Sequence, residues 1–202
     1  MNYQLVLDET LKKLNGVPKL LLHACCAPCS SYCIEYLSNY FEITIFYYNP
    51  NIDTEDEFNY RYRELERFIV EFKTKYPVHL VNVGYLKEEY DDIVVGLENE
   101  PERGRRCLKC YRLRLEKSFE YAKANNFDYI TTTLTLSPHK NSKVINEIGG
   151  ELESIYHIPY LYSDFKKREG YKRSITLSHE YNLYRQDYCG CKYSKKDKNL
   201  LH

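Results

Sequence analysis

A chain of 202 residues, with 29 Lys and Arg against 29 Asp and Glu, is long enough for one domain with a full core and carries no net charge, which excludes a whole-molecule attraction to nucleic acid. Its eight cysteines make up about 4% of the residues, below the roughly 8–10% of disulfide scaffolds, and no apolar run approaches the roughly 20 residues of a membrane span. The start has no signal-peptide pattern, so a cytoplasmic protein with reduced thiols and no membrane partner is expected.

Met1 to Val17 has an amphipathic helical pattern that stops at Gly16 with Pro18 beyond. Lys19 to His23 is a short apolar run and reads as a buried strand. Ser30 to Phe41 follows as a helix with Ile34, Leu37 and Phe41 on one face, and Glu42 to Tyr48 as a second strand. After the break at Asn49-Pro50-Asn51, Glu55 to Lys75 is a long charged helix with Phe58, Tyr62, Leu65, Ile69 and Phe72 at helical spacing. Val78 to Val83 is a third strand, Leu86 to Leu97 a helix, Glu98 to Arg106 a polar loop and Cys107 to Asn125 a helix. Asp128 to Thr133 makes a fourth strand, and Asn141 to His157 a helix that Gly149-Gly150 is expected to break or cap. Pro159 to Tyr162 is a candidate fifth strand. Ser163 onward holds a helix near Ile175 to Tyr181 and ends in a basic tail, 192–202, with a disordered tail as one expectation.

Alternating strands and helices imply an α/β fold: one Rossmann-like domain, residues 1–202, with a parallel sheet flanked by helices and right-handed crossovers. Ligands of such sheets sit at the carboxyl ends of the strands where strand order reverses. If the first and fourth strands are neighbours across that point, the loops Ala24 to Cys29 and Leu134 to Asn141 face each other there.

Seven of the cysteines fall into three sets: Cys25, Cys26 and Cys29; Cys107 and Cys110; Cys189 and Cys191. Cys107 and Cys110 open a helix, where an i, i+3 spacing puts both sulfurs on one face and the helix N-terminus favours thiolate. The first set lies between a strand and a helix, where phosphate-binding folds carry a glycine-rich loop, but no glycine lies between Pro18 and Asn39. In an extended loop Cys25 and Cys26 would serve different centres; in a bent one both would reach the same centre. A glycine between Cys189 and Cys191 suits either an easily reduced disulfide or shared ligation. Cys33, one turn after Cys29, reads as packing. One [4Fe–4S] cluster or one structural zinc takes about four thiols, leaving three for a second metal or for dithiol–disulfide cycling.

His23-Ala24-Cys25-Cys26-Ala27-Pro28-Cys29, Cys107-x-x-Cys110-Tyr111, Thr132-Thr133-Leu134-x-x-Ser137-Pro138-His139-Lys140-Asn141 and Leu183-Tyr184-Arg185-Gln186-x-Tyr188-Cys189-Gly190-Cys191 together resemble the QueH-type epoxyqueuosine reductases, in order, from about Leu20 to Cys191. The resemblance implies a tRNA-modifying iron–sulfur enzyme that reduces epoxyqueuosine to queuosine at the wobble position of the tRNAs for Asp, Asn, His and Tyr. It implies a [4Fe–4S] cluster on Cys25, Cys26, Cys107 and Cys110. It also implies a redox-active pair at Cys189 and Cys191, or a second, mononuclear iron on these with Cys29, an external electron donor and no cobalamin. His23, His139, Lys140 and Tyr188 are candidate proton donors; Lys140, Arg185 and Gln186 are candidates for contact with the substrate. The 22 tyrosines offer stacking surfaces for unpaired bases, though most read as core and rim. The basic groups Arg103, Arg105 and Arg106; Lys166 to Arg168; Lys172 and Arg173; and Lys192, Lys195, Lys196 and Lys198 are candidate RNA contacts, each also readable as a solvated loop. A zinc-stabilised RNA-binding module is the rival without chemistry; an ATP-using tRNA thiolation or adenylation enzyme would need a glycine- and serine-rich loop after the first strand, which the chain lacks.

Overall fold

In the computed structural model, which describes residues 1–199 with the side chains of 196–199 excepted, four strands make one parallel sheet in the order β3-β2-β1-β4. The strands are β1 (Lys19–His23), β2 (Glu42–Tyr47), β3 (Val78–Asn82) and β4 (Tyr129–Thr132). The helices, in chain order, are α1 (Tyr3–Lys12), α2 (Ala27–Leu37), α3 (Glu55–Glu71), α4 (Lys87–Ile93), α5 (Arg105–Ala124), α6 (Ser142–Tyr156), α7 (Gly170–Glu180) and α8 (Lys192–Asn199). A 3₁₀ turn, Thr133–Leu136, follows β4.

Strand β1 is buried on both faces, as a central parallel strand requires. Leu20 and Leu22 point into one apolar layer with α1, α2 and α3, through Leu7, Ile34, Phe58 and Phe68. Leu21 points into the other, with Leu115 and Phe119 of α5 and Ile145 and Leu152 of α6. A smaller cluster of Tyr90, Val94, Cys110, Cys191 and Tyr193 ties the last described segment to α4 and α5.

Three expectations change. The first helix covers Tyr3–Lys12 rather than residues 1–17, because Asn2 caps it and the chain leaves helical geometry before Gly16, at φ +75°. Gly149 and Gly150 do not break α6: the rings of Tyr160 and Tyr162 occupy the space a Cβ would fill on that side. The fifth strand is a single bridge, Ile130 to Tyr160. The basic tail is helical over Lys192–Asn199; residues 200–202 of that expectation lie outside the described residues. Among the described residues no helix is long and apolar enough to cross a membrane.

Candidate functional site

Strand order reverses between β1 and β4, and the register His23↔Thr132 lets the two strands end level. Their loops leave the sheet side by side, so that Cys25 Sγ lies 4.0 Å from Thr133 Oγ1. The facing of these loops, expected from the sequence, is what the structure has.

The first loop bends enough for both adjacent cysteines to face one point. Cys25 Sγ and Cys26 Sγ are 3.7 Å apart, and with Cys29 the three sulfurs lie within 4.8 Å of one another. Cys26 occupies the N-cap of α2 and Cys29 the third helical position, the spacing at which a side chain reaches back to its cap residue. Pro28 fits the first turn because it lacks the N–H that would be unpaired there. Cys26 makes no side-chain capping bond, and the N-terminal end of α2 favours negative charge there.

Cys107 and Cys110 lie in the first two turns of α5, and Cys107 Sγ accepts from the Arg103 N–H at 3.3 Å. Cys191 packs beside Cys110, and Cys189 lines the same cavity as Cys25, Cys26 and Cys29. Gly190 between them has φ +110°, a conformation that favours glycine, and its carbonyl accepts from the Asp53 N–H at 2.9 Å. All eight cysteines are free thiols, so the disulfide expected as one option for Cys189 and Cys191 is absent, while Cys33 lies in the apolar layer. Cys29 lies together with Cys25 and Cys26, and Cys110 shares a buried cluster with Cys191.

The cavity they open on measures about 470 Å³. His139, Lys140, Arg185, Gln186 and Tyr188, all expected near the site, line it. His139 is at the exposed rim. Lys140 faces Cys189, Cys25 and Tyr111; burial lowers its pKa, and the nearby thiolates overcome this and raise it. Arg185 donates to Ser178 Oγ at 3.1 Å and lies over the Tyr171 ring at 5.7 Å. Gln186 Nε2 donates to the Tyr184 carbonyl at 3.3 Å. Hydrogen bonds from Cys26 and Cys29 hold the Cys25 thiol well below its ordinary value, with Lys140 and Arg114 acting the same way. Burial pushes Cys110 up to about 12.

His23 is wholly buried and lies outside the cavity wall. Its ring nitrogens are 2.8 Å from Thr132 Oγ1 and 3.1 Å from the Tyr48 carbonyl, with Arg114 Nε 3.3 Å away. Burial and Arg114 lower its pKa to about 3, so it serves as neutral scaffolding.

Sequence reasoning missed two buried arginines. Arg61 of α3 pairs with Glu57 at 2.7 Å and lies over the Tyr188 ring at 5.4 Å. Arg114 of α5 donates to Asn49 Oδ1 at 2.5 Å. The signal for Arg114 is its position one turn beyond Cys110, on the same helix face. Much of the basic sequence is occupied. Lys166, Arg168, Lys172 and Arg173 pair with Asp164, Asp8, Glu169 and Glu35, Arg105 with Glu100, and Lys192 with Asp91. Arg106 donates to the carbonyls of Leu97, Glu98 and Glu100. Lys195 lies near the Tyr188 ring, and the Lys196 and Lys198 side chains are outside those described.

A family model described as epoxyqueuosine reductase QueH matches residues 20–197. A protein named epoxyqueuosine reductase QueH from Streptococcus pyogenes serotype M1 is 43% identical over 201 residues, covering 97% of this chain and 79% of its own. One of the same name from Staphylococcus epidermidis is 40% identical over 207 residues, covering 96% and 86%. Another from Thermotoga maritima is 29% identical over 192 residues, covering 91% and 93%.

Proposed function

The chain belongs to the epoxyqueuosine reductase QueH family, and from that premise we propose that it reduces epoxyqueuosine to queuosine at the wobble position of tRNA, the last step in making that nucleoside. Two electrons and two protons remove the epoxide oxygen as water and leave the cyclopentene. The observation that carries the reading is the convergence of distant cysteine sets at the carboxyl edge of the sheet: Cys25, Cys26, Cys29 and Cys189 line one cavity, and Cys110 shares a buried cluster with Cys191.

An all-sulfur donor set suits iron and iron–sulfur groups, and the buried cations beside it offset the negative charge of such groups. We assign Cys25, Cys26, Cys107 and Cys110 to a [4Fe–4S] cluster. Cys29, Cys189 and Cys191 then remain for a second iron or, in the last two, for a dithiol pair; the packing of Cys191 on Cys110 and of Cys29 on Cys26 supports two adjoining centres. When bound, such groups supply the electrons, received from an external donor.

The chain's own residues bind and protonate. Lys140 Nζ, on the cavity wall with Cys25 and Cys189, is the cationic proton donor, with His139 at the rim to exchange protons with solvent. The Arg185–Tyr171 pair offers a flat cationic face to an unstacked anticodon nucleotide, and Gln186 a hydrogen-bonding edge. The substrates are the tRNAs for Asp, Asn, His and Tyr, and the setting is the cytoplasm. Loss of one charge-assisted contact costs about 1.5–3 kcal/mol, so Arg185→Ala is expected to raise the KM for tRNA about tenfold or more with iron content unchanged. An unaltered KM would take Arg185 out of the contact.

The test of the function is the reaction. Anaerobically purified, reduced protein is incubated with epoxyqueuosine-bearing tRNA, and the nucleosides are separated after digestion. Queuosine should appear, together with broad absorbance near about 400 nm from the bound iron. Zinc without iron, or an intact iron centre with no queuosine formed, would overturn the reading.

A further inference from the structure

Four cationic side chains surround the cysteines, and three have an evident occupation. Arg61 is paired with Glu57 at 2.7 Å. Arg106 spends its Nη1 on three carbonyl oxygens and lies 4.2 Å from the Tyr193 ring centre. Lys140 reaches the cavity and solvent. Arg114 differs. It is 1% exposed and is not part of the wall of the cysteine cavity. Its described hydrogen-bond partners among nitrogen and oxygen atoms are neutral: Asn49 Oδ1 at 2.5 Å and His23 Nε2 at 3.3 Å. Among the described residues no carboxylate pairs with it.

A buried charge without a counter-charge is strongly unfavourable, and one with only neutral partners must find its anion elsewhere. The groups whose negative charge Arg114 feels most are Cys110, Cys25 and Cys189, one from each set. Arg114 stands one helical turn beyond Cys110 on α5 and is absent from the cavity wall that Cys25 and Cys189 line. Its own anchors are rigid: Asn49 also donates to the Ala24 carbonyl at 2.9 Å, and His23 is held by Thr132 at 2.8 Å.

We propose that Arg114 is the fixed counter-charge of the cysteine centre: its buried guanidinium, one helical turn from Cys110 and anchored through Asn49 to the loop that carries Cys25, favours the more reduced state of the iron group those thiols hold and raises its reduction potential. Arg114 touches no substrate and acts as a positioning residue. This inference rests on the iron-binding reading above. A guanidinium suits the task because it keeps its charge at every working pH and is less strongly hydrated than an ammonium.

The test uses the full reconstituted chain, with the midpoint potential, iron content and thermal melting recorded for wild type, Arg114→Met, Arg114→Lys and Asn49→Asp. Arg114→Met removes the charge. Asn49→Asp keeps the arginine and adds a carboxylate against it, at the cost of the Asn49 bond to Ala24, which melting will register. Both are expected to shift the oxidised-to-reduced ratio about tenfold toward the oxidised form, about 59 mV more negative for a one-electron couple, and Arg114→Lys by less. If Arg114→Met fails to hold iron, Asn49→Asp alone decides. An unchanged potential in a folded, iron-loaded Asn49→Asp or Arg114→Met protein overturns the role of Arg114 and leaves the iron reading standing. A wild-type chain that takes up no iron overturns both.

Discussion

Cys25→Ala is expected to strip iron from the protein and lower turnover by more than about 100-fold, beyond the 10–100-fold that loss of an outer-shell partner costs a metal site. Cys25 lies at the centre of its own set and shares the cavity wall with Cys189. Its sulfur is 3.7 Å from Cys26, belongs to the trio within 4.8 Å, and touches the loop after β4 through Thr133. Lys140 and Arg114 both act on it. Removing it takes a donor from the one point that both loops of the switch region address. Cys33→Ala is the control: a fully buried cysteine of α2, the helix that follows the Cys25 loop, but packed in the apolar layer. It should keep iron and rate and lose roughly 1 kcal/mol of stability. Iron content and rate measured side by side separate the two, and a Cys25→Ala protein with wild-type values would remove this loop from the centre.

The largest expected loss of stability comes from Gly170→Ala. A methyl group there would lie 2.0 Å from the Phe165 carbonyl oxygen and 2.4 Å from the Tyr32 ring. Gly170 begins α7, just after Arg168 and Glu169, which both have positive φ, and α7 packs directly on α2. Backbone on one side and a half-buried ring packed against the core on the other leave little room to yield. Overpacking of this kind costs about 3 kcal/mol, which for a chain of this size lowers Tm by roughly 6–12 °C. Gly150→Ala is the comparison. The added methyl would meet the hydroxyl end of Tyr162 at 2.7 Å, a group able to swing away, and alanine favours the helix by up to about 1 kcal/mol. Its melting should stay near wild type; equal melting of the two variants would contradict the packing argument. Because Arg185 is bonded to Ser174 and Ser178 of α7, Gly170→Ala should also weaken tRNA binding.

The sheet was legible because its signals are local and strong. Lys19–His23 appears as the three-leucine run said it would, and the strand ends fall where Asn49-Pro50 and Pro77 interrupt the pattern. The reversal between β1 and β4 could be stated only conditionally, since pairing is decided by packing. The glycine pair in α6 misled because isolated propensity says nothing about the two tyrosine rings that need the space. At the site, the cysteine sets and the cavity wall from His139 to Tyr188 were readable by residue type and spacing. The closeness of Cys25 and Cys26 to one another was not, because it depends on how tightly the Cys25–Cys29 turn closes onto the start of α2. Arg114 escaped because an arginine within a charged helix resembles every other surface arginine, and only the burial of that face reveals it.

The three cysteine sets are separated by nearly even stretches of chain, near residues 26, 108 and 190. During synthesis the sheet can form once β4 has emerged, yet two of the seven sulfurs are then still to be made. The cavity wall that carries Arg185, Tyr188 and Cys189 arrives last, laid over a scaffold already in place. On the proposed iron-binding reading, iron that holds only the finished arrangement would act as a clasp on a sheet already folded, adding stability by mass action as the logarithm of its free concentration. Chains stalled before residue 189 would therefore have the sheet and lack the clasp, and iron starvation should lower the abundance of this protein as well as its activity.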